Sequence, residues 1–344
     1  MTSGKVGHGS VVFVPGIMGS ELRLQGRGSN GIVSDQFVWG EDFVEVLWNL
    51  ARCPEVLGSP DLVATSVIRE VRLGRFKVRE IYGPLLEFCT STKGLQLVEG
   101  RSLYPFAYDW RLDLTGTARR LAALVEQVPG PVFIVAHSLG GLLTWIMLNL
   151  GGPAAARVRG VFGIACPFGG SAKAFTTLML HPNLGPVSDW LCYLFHLFSP
   201  DKRVRLMDAL KSMYSMYQLL PPMTEKILLQ SGGIQRSALE AFRGPRDERM
   251  VEAALNVHQS LTAIPLVLTT GVYSTQLPTP WLLAVNENWI PVASGMKAEG
   301  DGTITSASAL AGSGDNVAFR GVGAEHTRLC SRKDVHEALR SFLS

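Results

Sequence analysis

Residues Val132–Leu143 read VFIVAHSLGGLL, and this segment indicates the fold most clearly. β-Branched residues dominate its first half, and a run of Leu and Met without Pro continues its second half to Leu150. This change of composition predicts a buried strand over Pro131–Ala136, a tight turn and a buried helix over Leu139–Leu150. The stretch has no charged residue, but His137, Ser138 and two glycines within it argue against a membrane span.

Strand patterns that are apolar on both faces alternate with helical patterns along most of the chain. Such alternation is typical of a parallel sheet covered by helices on both faces, so we predict an α/β fold. The other predicted strands are Val11–Val14, Val67–Leu73, Ser102–Tyr108, Val158–Cys166, Ile264–Val272 and Val317–Val322. The other predicted helices are Gly83–Cys89, one capped by Thr115 or Thr117 that runs to about Val128, and one from about Arg332.

Residues 171–250 interrupt this rhythm. They contain the aromatic segment Trp190–Pro200 and a helical pattern over Arg205–Pro222 that ends in two prolines. We predict that 171–250 form a helical cap or lid inserted into a core made of 1–170 and 251–344.

Composition and charge exclude several functions. The chain has 344 residues, of which 47% are hydrophobic, and its net charge of +3 comes from scattered basic residues, so we expect no nucleic-acid partner. Five cysteines without CxxC spacing indicate neither a disulfide framework nor a metal site, and we expect no metal or other cofactor. The first apolar run, Val11–Val14, is cut by Pro15, so we expect no signal peptide and a cytoplasmic protein.

The segment Ala136-His137-Ser138-Leu139-Gly140 lies where the predicted strand meets the predicted helix. It is similar to the Gly-x-Ser-x-Gly nucleophile elbow, a strained turn that needs small residues two positions before and after the serine. Ala136 is small enough to replace the usual glycine. Ser138 is therefore the predicted nucleophile of an acyl-transfer reaction.

A serine nucleophile needs a histidine base and an orienting carboxylate, which follow it in the order Asp or Glu, then His. His326 is the predicted base because it follows the last predicted strand. The other histidines between Ser138 and the final helix lie in the predicted cap or precede a strand, namely His181, His196 and His258. Asp301, within Gly-Asp-Gly-Thr, is the favoured carboxylate, and Asp315 is the alternative.

The reaction also needs backbone N–H groups that stabilise the developing oxyanion. Leu139 supplies one because it follows the nucleophile. The glycine-containing turn Pro15–Gly19, which follows the first strand, supplies the other, and Ile17 is the predicted donor.

Six ordered segments extend these predictions across almost the whole chain. They resemble the lecithin:cholesterol acyltransferase family, which includes lysosomal phospholipase and phospholipid:diacylglycerol acyltransferase. The segments are Val12–Leu22, Pro105–Leu114, Val132–Leu143, Gly163–Ser171, Ser215–Pro222 and Gly300–Ser308. The resemblance implies an α/β-hydrolase fold with a mostly parallel central sheet, and it assigns the same four roles to Ser138, Asp301, His326 and Ile17.

The resemblance also implies a lipid ester substrate and transient contact with a membrane surface. Family members contact membranes through an early segment, here Phe37–Leu50 within an excursion over about 35–60, and cover the site with a lid, here Asp189–Ser199. The predicted lipid contacts are Trp39, Trp48, Trp190 and Phe195. Because the secretory features of eukaryotic members are not expected here, the chain is interpreted as a bacterial relative, and pairing of Cys53 with Cys89 stays open.

The sequence thus predicts a serine-dependent lipid acyl-ester hydrolase or O-acyltransferase. The alternatives are a soluble carboxylesterase, lactonase or peptidase with the same three residues, and a non-catalytic binding protein. For Tyr108–Arg111 we predict a structural role, in which Asp109 and Arg111 form a buried brace beside the site.

Overall fold

The structure, a computed structural model, describes residues 9–27, 33–179, 198–242, 245–261, 267–292, 295–312 and 317–344. Its strands are β1 (Ser10–Val14), β2 (Ser20–Arg27), β3 (Val33–Trp39), β4 (Leu62–Val67), β5 (Glu70–Leu73), β6 (Phe76–Glu80), β7 (Leu103–Pro105), β8 (Val132–His137), β9 (Val158–Ile164), β10 (Leu228–Leu229), β11 (Gln235–Arg236), β12 (Leu268–Tyr273), β13 (Leu277–Ala284), β14 (Met296–Gly300) and β15 (Val317–Gly321). Its α-helices are α1 (Phe43–Arg52), α2 (Gly83–Thr90), α3 (Leu114–Gln127), α4 (Leu139–Leu150), α5 (Gly152–Arg157), α6 (Ala172–Leu178), α7 (Pro200–Lys211), α8 (Tyr214–Gln218), α9 (Pro245–Ser260), α10 (Ser306–Leu310) and α11 (Lys333–Leu343). Short 3₁₀ helices span Pro54–Gly58, Ser231–Gly233, Ala238–Ala241 and His326–Ser331.

Six parallel strands form the central sheet in the order β15-β12-β9-β8-β1-β7. The chain passes from β1 outward to β7 and then returns to β8 on the other side of β1. The carboxyl ends of β1 and β8 therefore flank a topological switch point, where open α/β sheets bind their ligands. This sheet and its helices confirm the predicted α/β-hydrolase fold.

The two faces of the sheet bury separate hydrophobic cores. Val12 and Val14 pack in one core with the buried faces of α3 and α4. Val11 and Phe13 alternate with them along β1 and pack in the second core with α2 and α11. This alternation is what the pleat of a strand imposes, and it holds the carboxyl edge of the sheet between two rigid layers.

The segment Phe37–Leu50, which the resemblance assigns to membrane contact, divides into two elements. Residues up to Trp39 belong to β3 in a small antiparallel sheet of order β3-β2-β4, and α1 begins at Phe43. Trp39 is only 4% exposed, and its indole N–H donates to the Met18 carbonyl at 3.1 Å. The prediction of Trp39 as a lipid contact is therefore wrong, whereas Trp48 on α1 is 62% exposed.

Three other predicted boundaries differ from the structure. The strand predicted over Val67–Leu73 is broken, since β4 ends at Val67 and β5 begins at Glu70. The cap of α3 is Asp113, whose carboxylate accepts backbone N–H groups of the next turn, and neither predicted threonine has this role. The strand predicted over Ser102–Tyr108 is reduced to the three residues of β7.

The predicted cap segment, 171–250, contains α6, α7, α8 and the first part of α9. Trp190 and Phe195 lie outside the described residues, as do His181, His196 and the alternative carboxylate Asp315. Within the described part of the chain, no helix is both long enough and apolar enough to cross a membrane.

Candidate active site

Ser138 lies on a sharp turn between β8 and α4. Its φ of 51° and ψ of −126° fall outside the helical and strand regions, a conformation that non-glycine residues seldom adopt and that tends to mark functional sites. Gly140 permits the turn, because a Cβ there would lie 2.3 Å from the Val14 carbonyl oxygen. The Ser138 backbone N–H donates to the Ile164 carbonyl at 2.9 Å, which fixes the turn to β9.

The structure brings Ser138, His326 and Asp301 into one hydrogen-bonded series. Nε2 of His326 lies 2.9 Å from Oγ of Ser138, and its Nδ1 lies 2.6 Å from Oδ2 of Asp301. All three residues are buried, with exposed fractions of 4% for Ser138, 2% for Asp301 and 8% for His326. This arrangement allows the imidazole to accept the serine proton while the carboxylate fixes its tautomer.

The Asp301 carboxylate is held as an anion in a buried place. Burial acts to raise its pKa, but the His326 ring and the backbone N–H groups of Ile304 and Thr303 outweigh burial and lower the pKa below its ordinary value. Those two N–H groups donate to Oδ1 at 2.7 and 2.9 Å. Oδ2 therefore stays free to orient His326.

The turn that carries His326 is fixed from two sides. Its backbone N–H donates to the Asp301 carbonyl at 3.0 Å. Arg79 on β6 donates to Glu325 at 2.6 Å and to Thr327, the two residues on either side of His326. A side chain 246 residues earlier in the sequence than Glu325 thus holds the His326 turn in place.

The turn after β1 lies against Ser138. A Cβ on Gly16 would lie 2.9 Å from Cβ of Ser138, so only glycine allows this approach. Within the described ranges, the backbone N–H groups of Ile17 and Leu139 have no hydrogen-bond acceptor. Leu139 opens α4, whose N-terminal dipole favours negative charge at the same place.

Residues Tyr108–Arg111 support this turn rather than the chemistry. The Tyr108 hydroxyl donates to the Pro15 carbonyl at 2.9 Å, and the Trp110 indole donates to the Ser20 carbonyl at 3.1 Å. Asp109 and Arg111 form the predicted buried ion pair at 2.6 Å, with exposed side-chain fractions of 3% and 6%. The predicted brace is therefore confirmed.

A second histidine, His137, precedes the serine and is buried. Its two ring nitrogens lie 2.9 Å from the Tyr82 hydroxyl and 3.3 Å from the His326 carbonyl oxygen. Burial, and then the neighbouring His326 ring, lower the pKa of His137 to about 3, so it is neutral at physiological pH. Sequence patterns single out neither Tyr82 nor Arg79, because both act through contacts distant in the chain.

The described cysteines are free thiols, so Cys53 and Cys89 do not pair. Burial raises the pKa of Cys166, which lies below the serine turn, to about 12, and this thiol stays protonated. In the described ranges, no group of His, Cys, Asp and Glu side chains has the arrangement to hold a metal ion.

Comparison with known proteins places the chain in a family. A family model described as the alpha/beta hydrolase family matches residues 89–323, more than half of the chain. Lecithin-cholesterol acyltransferase-like 4 from Arabidopsis thaliana is 24% identical over 410 residues, a match that covers 97% of this chain and 75% of that protein.

Solved structures resemble the chain to different degrees. A chain in the crystal structure of the Tle4–Tli4 complex superposes with a TM-score of 0.70 at 14% identity, covering 97% of this chain and 98% of that one. The mature form of Bacillus licheniformis lipase BlEst2 gives a TM-score of 0.41 at 10% identity, covering 98% and 92%. With the family match over two thirds of its length and a sheet of the expected topology, the chain belongs to the alpha/beta hydrolase family.

Proposed function

We propose that this protein is a serine-dependent lipid acyl-ester hydrolase or O-acyltransferase. The observation that carries the proposal is the series Ser138–His326–Asp301, joined at 2.9 and 2.6 Å beside the turns that contain Ile17 and Leu139. These groups supply the nucleophile, base, orienting carboxylate and oxyanion donors of acyl transfer.

In the first half of the reaction, Oγ of Ser138 attacks the ester carbonyl carbon while Nε2 of His326 takes the hydroxyl proton. Asp301 holds the ring and stabilises the imidazolium that forms. The backbone N–H groups of Ile17 and Leu139 stabilise the negative oxygen of the tetrahedral intermediate. The bond to the alcohol oxygen then breaks, and His326 returns the proton to the leaving alcohol, so that an acyl-enzyme remains on Ser138.

In the second half, water or a lipid hydroxyl attacks the acyl-enzyme. His326 takes the proton of the attacking group, and the collapse of the second intermediate frees the carboxylic acid or the new ester. The Ser138 oxygen recovers its proton from His326. Hydrolysis and transfer both use the same three side chains and two backbone N–H groups. The two reactions therefore differ only in which acceptor reaches the site.

A surface near the amino-terminal part of the core supports a lipid substrate. On α1, Trp48 is 62% and Val44 48% exposed, and a shallow cavity of about 490 Å³ lies along them. The adjoining β5–β6 hairpin exposes Leu73 and Phe76. The basic side chains of the hairpin are balanced by acidic ones, since Arg72 pairs with Glu70 and Lys77 with Glu80. Exposed apolar side chains on such a surface suit a membrane interface.

The resemblance to the lecithin:cholesterol acyltransferase family supports the same proposal. The Arabidopsis relative carries that family's name, and its match spans 97% of this chain. We therefore propose a phospholipid or glycerolipid as the acyl donor and a protein that works at a membrane surface.

A chain-length series of esters tests the proposal. We expect the rate to rise steeply when each long-chain substrate passes its critical micelle concentration, with Ser138→Ala inactive throughout. Short-chain esters hydrolysed equally well below and above that concentration would favour the soluble carboxylesterase. No hydrolysis of any ester, and no transfer to a lipid alcohol, would favour a non-catalytic binding protein.

A further inference from the structure

A buried polar chain runs beside the proposed catalytic residues without being part of them. Tyr82 is only 3% exposed, and its hydroxyl accepts the backbone N–H of Gly16 at 2.8 Å. The same hydroxyl lies 2.9 Å from Nδ1 of His137, which is also 3% exposed. Nε2 of His137 lies 3.3 Å from the carbonyl oxygen of His326. This series of hydrogen bonds therefore links the turn after β1 to the turn that carries His326.

The hydrogen bonds of this polar series all run in one direction. Because the Tyr82 oxygen accepts from Gly16, its own proton is available for Nδ1 of His137. A neutral imidazole that accepts at Nδ1 carries its proton on Nε2, which then donates to the His326 carbonyl. The lowered pKa of His137, caused first by burial and then by the His326 ring, keeps the imidazole in this neutral form. Each polar group of this hydrogen-bonded series thus has a partner, as buried groups require.

We propose that Tyr82 and His137 are positioning residues that fix the oxyanion donor and the base relative to one another. Gly16 directly precedes Ile17, whose N–H is the proposed oxyanion donor, so the Tyr82 hydroxyl sets the orientation of that part of the turn. The other end of the chain holds the backbone of the residue that takes the serine proton. This inference rests on the proposed function.

The neutral state of His137 matters for the reaction as well. Its ring centroid lies 4.8 Å from that of His326. During acyl transfer His326 becomes an imidazolium, and a second charge at that distance in a buried site would oppose its formation. A neutral His137, which accepts from Tyr82 and donates to the His326 backbone, avoids this cost.

Tyr82→Phe is the sharpest test, because it removes one oxygen and keeps the ring that packs edge-on against Phe13 at 5.0 Å. We expect kcat for a soluble ester to fall roughly 10- to 100-fold with KM nearly unchanged, since the donor and base are displaced by fractions of an ångström. His137→Asn should give a similar loss, and the double variant should lose less than the product of the two. Tyr104→Phe is the matched control, because the Tyr104 hydroxyl donates to the Arg101 carbonyl at an exposed place.

A spectroscopic measurement tests the chain of hydrogen bonds without relying on turnover. In ¹⁵N-histidine NMR of the full chain, we expect His137 to carry its proton on Nε2 and not to titrate between pH 5 and 8. In Tyr82→Phe, the Nδ1 resonance of His137 should move toward that of an unbonded nitrogen, while Tyr104→Phe leaves it in place. A His137 that titrates near pH 6.5, or that is protonated on Nδ1, would overturn the inference.

The two proposals fail in different ways. An active wild type with an unchanged kcat in Tyr82→Phe refutes the positioning role and leaves the proposed function intact. A wild type that hydrolyses and transfers no ester refutes both.

Discussion

Oδ2 of Asp301 lies 2.6 Å from Nδ1 of His326, and the backbone of His326 donates in return to the Asp301 carbonyl at 3.0 Å. The two residues are therefore joined twice, once to fix the ring and once to fix the turn. We expect Asp301→Asn to lower kcat about 10⁴-fold, because the amide stabilises the wrong tautomer of His326. Steady-state hydrolysis of a soluble ester measures this loss.

Asp315→Asn is the control for that substitution, since Asp315 is the alternative carboxylate in the sequence. We expect this variant to keep wild-type turnover. Normal activity in Asp301→Asn together with loss in Asp315→Asn would transfer the orienting role to Asp315.

Arg79 provides a second prediction, because it bonds the residues on both sides of His326. Arg79→Gln should lower kcat by about tenfold through displacement of the base, while the unfolding temperature changes little, since the Arg79 side chain is 40% exposed. Lys77→Gln, which removes a surface ion pair to Glu80 on the same hairpin, is the control and should have no effect on kcat. Equal kcat values in the two variants would show that Arg79 does not position the base.

The buried neutral His137 predicts how stability depends on pH. Its pKa of about 3 lies below the value of 6.5 expected in the unfolded chain, so between these values the unfolded state binds a proton that the native state does not. Above pH 6.5 the neutral His137 does not lower the free energy of unfolding. As the pH is lowered from there, protonation of the unfolded state reduces the free energy of unfolding, by about 2 kcal/mol at pH 5.

Urea unfolding at pH 7 and pH 5 measures this term. The free energy of unfolding should fall by about 2 kcal/mol less in His137→Asn than in the wild type over that interval. The change in unfolding free energy between the two pH values separates the effect of His137 from that of other groups. It also cancels any loss that the substitution causes at both pH values. An equal change in the two proteins would mean that His137 binds its proton in the native state as it does in the unfolded state.

The exposed side chain of Trp48 indicates that α1 contacts a lipid surface. Trp48→Ser should lower co-sedimentation with anionic phospholipid vesicles roughly fivefold or more, because an exposed indole on an amphipathic helix contributes its apolar area to binding. Leu150→Ser is the control, since Leu150 is 46% exposed at the end of α4 opposite the serine turn. Similar losses in both variants, or none in either, would exclude a role of α1 in membrane contact.

The residues that the structure brings together were accessible to sequence reasoning where the signal is local. The turn at Ser138 is predicted from its neighbours in the sequence. The order of the predicted strands then places His326 and Asp301 at the same edge of the sheet. The parallel sheet followed from apolar strands that alternate with helices.

The remaining features depend on tertiary contacts. Trp39 and Trp48 have similar apolar surroundings in sequence, yet Trp39 ends a strand and is buried while Trp48 is exposed on a helix. Tyr82 acts on His137 across 55 residues, and no periodic pattern marks such a contact. The end of one element and the partner of one hydroxyl are set by packing, which the sequence alone does not display.

The role of Ser138 as nucleophile is tested by the intact mass of the purified protein after treatment with a fluorophosphonate, with Ser138→Ala as the control. Attack of an activated serine on phosphorus expels fluoride and leaves a single covalent adduct. We expect one adduct on the wild type, formed faster in the presence of micelles, and none on Ser138→Ala. An unmodified wild type, or an equal adduct on Ser138→Ala, would contradict the claim that Ser138 is the nucleophile.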